Sequence, residues 1–382
     1  MFVRHALPGE TVVATVTEER DRWLRADAVE VLVASPDRVA PPCEYARPGR
    51  CGGCDWQHAS VAAQRVLKAT VVREQLSRVA GIDRDVVVEG VDHDGLGWRT
   101  RVRFAVTDDG RLGLHRHRSD EIEPVERCLI ATPGVESVGA EVLAWPGMSE
   151  VEVIAGGAGD RAVVVTPRRK KAAVGAAVAP EVSVLRGDGR GGAEGVRGRP
   201  GVRENAAGRT WWVGGSGFWQ AHVQAPDVLV TAVLDALEPL SGDVALDLYS
   251  GVGLFAGALA PWVKRVFAAE SDADAVADAR QNLRDLTNVE AHEGRVDLVL
   301  ARLGLGRVDL VVLDPPRDGA GAPVMAAIAA LAPRRIAYVS CDPASLARDL
   351  RDLPGYALTG LKAYDLFPMT AHVECVATLE PA

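Results

Sequence analysis

Apolar and polar positions alternate along the first 38 residues, as in "TVVATVTEE" and "AVEVLVASP". A period of two is the mark of half-buried strands and predicts a small β-module over 1–38. The stretch 39–54, "VAPPCEYARPGRCGGC", is rich in Pro, Gly and Cys and predicts an irregular loop. Over 55–80 the period changes to that of one helical face, and the run stops at Gly81. Strand-like runs return from 85 to 183: "VVVEGV", "RVRFAV", "VEVIAGG" and "RAVVVTP", with "TDDGRLGL" as a hairpin turn. The Gly/Arg-rich stretch 187–205 predicts a mobile loop.

After 206 the character changes. "VALDLYSG", "RVFAAES", "VDLVVLDPP" and "RIAYVSCD" are apolar runs spaced by Ala-rich helical stretches. Strands alternating with helices predict a mostly parallel sheet covered on both faces, a Rossmann-like α/β fold. The expected organisation is therefore a β-module (1–38), a loop, linking helix and central β-rich domain (39–205), and an α/β domain (206–382). Ligands of such sheets bind beyond the carboxyl ends of the strands.

With 382 residues, 48% hydrophobic and 25% charged, the composition is that of a globular protein of two or three domains. No window approaches 18 uninterrupted apolar residues, and "MFVRHALPGE" has no secretory apolar core, so a reducing, cytoplasmic setting and no membrane are expected. Cysteines there serve as ligands or nucleophiles before disulfides. The net charge of −9, from 43 basic and 52 acidic residues, argues against non-specific coating of nucleic acid. It leaves room for one folded RNA held by a local patch. Arg99, Arg101 and Arg103, His115 to Arg118, and Arg168 to Lys171 are candidate patches, although each alone reads equally as a solvated face. Nothing suggests an apolar association surface, so a monomer is expected.

Chemistry enters at the strand ends. "LDLYSGVGLF" runs strand, Gly251-x-Gly253, helix; the glycines permit a tight turn and close ligand approach. Glu270, 17 residues after Gly253, closes the next strand, where a carboxylate accepts both hydroxyls of a ribose. A third glycine is missing and Asp247 precedes the loop. That fits S-adenosylmethionine, which carries an ammonium and no phosphate, better than NAD; the alternative is an ordinary turn. "LDPPRDG" places Asp314 before two prolines on a rigid lip, as in amino-group methyltransferases or in a plain strand-ending turn. Cys341 ends a further strand and opens into a helix, where N–H groups can favour a thiolate. A thiolate can add to C6 of a pyrimidine and activate C5. Glu374, in the apolar stretch "AHVECVATL", is the candidate base for the C5 proton, its pKa raised by desolvation. His372 reads as structural and Cys375, on the opposite strand face, as core.

Cys43, Cys51, Cys54 and Cys128 stand apart, spaced C-x7-C-x2-C with one distant partner. Three thiolates in one Gly-rich loop plus a fourth can close an iron–sulfur cube. Structural zinc competes, but zinc sites more often use two C-x2-C pairs and only one is present.

"DLYSGVGLF", "LDPPRDGAG", "SCDPASLARDL" and "FPMTAHVE", in that order, resemble the RNA 5-methyluridine methyltransferases, which modify transfer or 23S ribosomal RNA. The resemblance is dense over the catalytic half and looser before it. It implies Cys341 as nucleophile, Glu374 as proton acceptor, and Gln220, Tyr249, Gly251, Glu270 and Asp314 as contacts for S-adenosylmethionine. It implies a 4Fe-4S cluster on the four outlying cysteines and likens the N-terminal module to a shortened TRAM domain. Three positions depart from the family: Asp342 replaces an Asn after the nucleophile, His222 replaces an Asn in "WQAH", and Leu254 stands where some members have Asn. Two rival readings are an amino-group methyltransferase using Asp314, and a non-catalytic RNA-binding protein organised by its cluster.

Overall fold

The computed structural model describes every residue except 92, 93, 171, 175 and 176; Lys171 of the last basic run thus lies outside the described residues. Strands β1 (Phe2–Arg4), β2 (Thr11–Arg20) and β3 (Trp23–Val33) form a three-stranded sheet ordered β1-β3-β2. The alternating pattern thus yields strands where the sequence predicted them. Helix α1 (Val61–Gln75) begins later than its pattern, because Ser60 caps it by accepting the Ala63 N–H. It runs into a π-helical turn, Leu76–Ala80, and ends at Gly81 in the left-handed region (φ 69°).

Strand β4 (Val88–Gly90) comes next, then β5 (Arg101–Val106), β6 (Leu112–His115) and β7 (Ile122–Pro124). A short helix, α2 (Pro133–Glu136), precedes β8 (Met148–Ala155), β9 (Arg161–Pro167), β10 (Ser183–Gly187) and β11 (Ala193–Arg197). All but β4 join a seven-stranded sheet, β11-β10-β9-β8-β5-β6-β7. The predicted mobile loop at 187–205 is instead ordered as strand. β11 pairs antiparallel with β10, and the Asp188 carboxylate accepts the N–H groups of Arg190 and Gly192 to close the turn. Glycine content signalled the turns and hid the strands between them.

β12 (Gly201–Ala206) and β13 (Arg209–Gly214) form a hairpin, so the boundary drawn at 205/206 falls inside a strand. The remaining chain alternates: α3 (Ala225–Leu237), β14 (Val244–Leu248), α4 (Leu254–Leu259), β15 (Arg265–Glu270), α5 (Ala273–Asn282), β16 (Val289–Glu293), α6 (Val296–Leu303), β17 (Leu310–Leu313), α7 (Ala322–Ala330), β18 (Arg335–Ser340), α8 (Pro343–Arg351), β19 (Tyr356–Asp365) and β20 (Glu374–Pro381). The sheet order is β16-β15-β14-β17-β18-β20-β19-β4, parallel from β16 to β18, with β20 antiparallel to both its neighbours. Leu310 and Val312 point into the core under α3 and α4, Val311 and Leu313 into the core under α6, α7 and α8. That alternation on a strand buried on both faces is why β17 reads as an unbroken apolar run. Among the described residues no helix is long and apolar enough to cross a membrane.

The linking helix packs on this last sheet rather than beside it. Val72 and Leu76 are fully buried in the same core as Leu346 and Ile336, and β4 pairs with β19. Between them Lys68 and Asp365, both fully buried, form an ion pair 2.5 Å long, and Lys68 also donates to the Phe367 carbonyl at 3.0 Å. Burying two charges is tolerable only when each satisfies the other. Arg65 Nε also approaches Asp365, at 3.5 Å. Lys68→Met leaves the buried carboxylate with only that longer contact and is expected to lower unfolding free energy by about 3–5 kcal/mol in urea titration; Lys68→Met with Asp365→Leu should recover most of it. A single mutant as stable as wild type would refute this anchor.

Candidate active site

The sheet reverses its direction of growth between β14 and β17, which opens a crevice beyond their carboxyl ends. The sequence-predicted cofactor residues converge there. Gly251 (φ 51°) and Gly253 (φ 94°) make the turn after β14, and a Cβ on Gly253 would sit 2.6 Å from Leu283 Cδ1. A Cβ on Gly251 would meet nothing within 4 Å, so that side of the loop faces open space. Tyr249 also holds a positive φ (63°), which is strained for a non-glycine residue. Glu270 fastens the loop: its carboxylate accepts the Gly251 N–H at 3.0 Å and those of Ser271 and Asp272. Gln220 is buried and donates to Asp314 Oδ2 at 3.2 Å. His222, at the departing position, stacks on Trp98 (5.6 Å, 13°) and accepts the Gln224 N–H at Nδ1, which holds the Gln220 segment in place. Leu254 is core.

The carboxyls of this crevice repel one another. Burial pushes Asp247 up to about 7, with Asp314 and Glu270 adding to the effect, and burial does the same to Asp314. Asp247 Oδ2 accepts the Ala256 N–H at 2.7 Å, while its Oδ1 is buried without a partner.

Register brings Cys341 and Glu374 together. Ser340 pairs with Cys375 across the antiparallel β18–β20 ladder, so the next step of the ladder sets Cys341 opposite Glu374. Cys375 is on the other face, in the core, as predicted. Glu374 is 3% exposed. Burial, with Asp314 nearby, raises its pKa well above the ordinary carboxylate range. Burial and the facing Glu374 push the Cys341 thiol up to about 11, opposed by Arg317. The helix N-terminus does not supply the expected help: Asp342, the departing residue, caps α8 and takes the N–H groups of Ala344 and Ser345, both at 2.9 Å.

Arg317 is the residue sequence reasoning missed. It lies three positions after Asp314 inside the quoted "LDPPRDG", and it reaches Cys341 and His372 Nε2, the latter at 3.3 Å. A cation close behind a strand-end carboxylate was the available signal. Its loop is pinned from α8: buried Asp349 accepts the Ala320 and Gly321 N–H groups and the Tyr338 hydroxyl (2.6 Å), and Arg348 donates to the Asp318 carbonyl.

The four outlying cysteines line one cavity of about 40 Å³ with Tyr45, Gln57 and Ile130. They ring it rather than converge: no group of three or more His, Cys, Asp or Glu among the described residues stands close enough to hold a metal ion. Burial pushes Cys54 up to about 12 and Cys128 to about 11. Backbone N–H groups of Ile130 and Ala131 point at the Cys128 sulfur, and that of Gly53 at Cys51.

The predicted basic patches are mostly committed internally. Arg101 donates to the Gly217 carbonyl, Arg103 pairs with Glu150 and Glu152, and Arg168 donates to the Met148 and Val106 carbonyls. The run His115 to Arg118 is the exception. Arg116, His117 and Arg118 line a groove of about 1190 Å³ between the N-terminal sheet and the cysteine loop, together with Arg4, Arg25 and Arg50 and with the carboxylates of Glu18, Asp27, Asp55 and Glu121, and the groove reaches Ala371 beside the active site.

A doubly wound sheet with an acidic crevice at its switch point and an antiparallel last strand is the fold of the S-adenosylmethionine-dependent methyltransferases. The profile of the tRNA (uracil-5-)-methyltransferase family matches residues 213–381. An RNA methyltransferase of Streptomyces coelicolor is 54% identical over 100% of this chain and 88% of its own. The 23S rRNA (uracil(1939)-C(5))-methyltransferase RlmD of Shewanella sp. is 30% identical over 100% of this chain and 91% of its own. The crystal structure of the Pyrococcus abyssi tRNA (uracil-54, C5)-methyltransferase, in complex with S-adenosyl-L-homocysteine, superposes with a TM-score of 0.74 at 23% identity, covering 99% of this chain and 95% of its own. The chain belongs to the RNA (uracil-C5-)-methyltransferase family.

Iodoacetamide labelling of Cys341, read by peptide mass spectrometry, is expected to be slow near neutral pH and to rise about tenfold per pH unit toward about 11. Glu374→Gln removes a facing negative charge and should speed labelling; Arg317→Gln should slow it. Identical pH profiles in all three proteins would show that the thiol does not face these groups.

Proposed function

We propose that the protein, as a cytoplasmic monomer, methylates C5 of a uridine in ribosomal or transfer RNA through a covalent adduct on Cys341. The observation that carries this reading is the meeting of thiol, buried carboxyl and guanidinium at the rim of an acidic crevice. Cys341 gives up its thiol proton to solvent, Sγ bonds to C6 of a uridine flipped from its stack, the C5=C6 π pair shifts toward C5 and the C4 carbonyl, and C5 becomes nucleophilic. S-adenosylmethionine, bound in the crevice, supplies the methyl group. Glu374 then takes the C5 proton, the C5=C6 bond re-forms and the S–C6 bond breaks. A carboxyl with a raised pKa suits that last step, since it holds the proton well. Arg317 favours the thiolate.

The residues present fit the methyl donor. Asp247, Glu270 and Asp314 crowd negative charge into one crevice, and Asp247 Oδ1 lacks a partner. A ligand carrying sulfonium and ammonium relieves that repulsion, where a pyrophosphate would worsen it. Gln220, Tyr249 and Gly251 would line its site. The basic groove beside the cysteine loop supports an RNA substrate, because phosphate contacts dominate such affinity.

Cys43, Cys51, Cys54 and Cys128 are proposed to hold a 4Fe-4S cluster, with zinc the competing occupant. Four thiols on one cavity with N–H groups aimed at two of the sulfurs match the donor set of such a cluster. Its place here is structural: it would close the loop over the cavity that the four thiols line.

Cys341→Ala is expected to abolish 5-methyluridine formation, measured by mass spectrometry of RNA, while leaving cofactor binding within about twofold. Glu374→Gln should accumulate a protein–RNA adduct that survives denaturing electrophoresis. A Cys341→Ala protein that still methylates RNA would end the covalent reading. For the cluster, anaerobically purified protein should carry iron and acid-labile sulfide in equal amounts, and Cys51→Ala should lose both; zinc without sulfide would assign the site to zinc.

A further inference from the structure

The base-bearing strand is reached through a strained loop. Between β19 and β20, Met369 holds a left-handed backbone (φ 67°), a conformation that costs an L residue energy. Two other parts of the chain hold it there. Its N–H donates to Gln64 Oε1 at 2.8 Å, and its carbonyl accepts the Trp56 N–H at 3.0 Å. Gln64, fully buried on α1, uses its amide nitrogen as well: Nε2 donates to the carbonyls of Ala59 (2.9 Å) and Trp56 (3.1 Å) and contacts Met369 Sδ. One side chain thus clasps the segment after Cys54 and the loop before Glu374 at once.

The loop is otherwise self-braced. Thr370 Oγ1 donates to the Phe367 carbonyl at 2.7 Å and accepts the His372 N–H at 3.2 Å, and Val373 is buried. A shift at Met369 therefore passes down a short, stiff path to His372 and Glu374 rather than being absorbed.

We infer that Gln64 is a positioning residue for the proton acceptor, setting Glu374 through Met369 although it touches neither substrate nor cofactor. This rests on the reading of Glu374 as the base. Removing the clasp leaves Cys341 and Asp314 in place, because β17, β18 and α8 hold them. The adduct still forms and still takes its methyl group; loss of the C5 proton slows. Displacement of a catalytic group by about 1 Å costs roughly up to a hundredfold in rate.

The test uses the full-length protein with an RNA substrate and S-adenosylmethionine. Gln64→Met keeps the volume and removes every hydrogen bond; Gln64→Ala is the harsher companion. Both are read by turnover, by the fraction of protein trapped as RNA adduct, and by calorimetric affinity for the cofactor. The expected result is turnover down roughly tenfold to a hundredfold, an adduct fraction raised toward that of Glu374→Gln, and cofactor affinity within about twofold. Unchanged turnover, or turnover and cofactor affinity falling together with no adduct, overturns the inference and makes Gln64 merely structural. Failure of Glu374→Gln itself to accumulate adduct overturns the base assignment, a distinguishable outcome that removes the inference with it.

Discussion

Everything at this site depends on a carboxyl that water does not reach. Glu374 begins β20 with almost no exposed surface, and the antiparallel ladder to β18 sets it opposite a thiol. In that low-dielectric rim each charge acts strongly on the next. Asp314 raises Glu374, Glu374 raises Cys341, and Arg317 is the cation that offsets them. The resting state accordingly sets a protonated thiol beside a carboxyl whose pKa burial has raised. Positive charge or hydrogen-bond donors brought into the crevice would ease negative charge on that sulfur.

The N-terminal half serves this arrangement physically. α1 buries Lys68 against Asp365 at the end of β19, Gln64 grips Met369, and β4 extends the sheet beyond β19. The segment after Cys54 hydrogen-bonds the same loop through Trp56. The cysteine loop, the first helix and the loop before Glu374 form one packed body. A basic groove opens on the side of that body facing the N-terminal sheet. Basic residues in the sequence are numerous elsewhere, but many are spent on carbonyls and neighbouring carboxylates inside the central sheet. The groove arginines are paired as well, Arg4 with Asp55, Arg25 with Glu18 and Arg50 with Glu123, but they line an open surface that a polyanion can reach.

The alternation of apolar runs and Ala-rich helices specified the Rossmann-like sheet, because burial on both faces leaves a continuous apolar signature in each strand. The glycine turn, Glu270, Asp314 and Cys341 were legible for the same reason: each closes an apolar run, and strand ends in such a sheet meet at one rim. Tertiary structure alone decided the rest. Asp342 reads as a small departure beside Cys341, yet folded it takes the helix N–H groups that the thiol was expected to use. Arg317 reads as one more loop charge until Asp349, thirty-two residues on, pins its loop beside the thiol. The strands hidden in 187–205 and the reach of Gln64 to residue 369 are equally invisible along the chain. Local pattern reports burial and period; it carries no information on which distant hydrogen-bond partner a polar side chain will find, and that pairing fixes the charge and position of each reacting group.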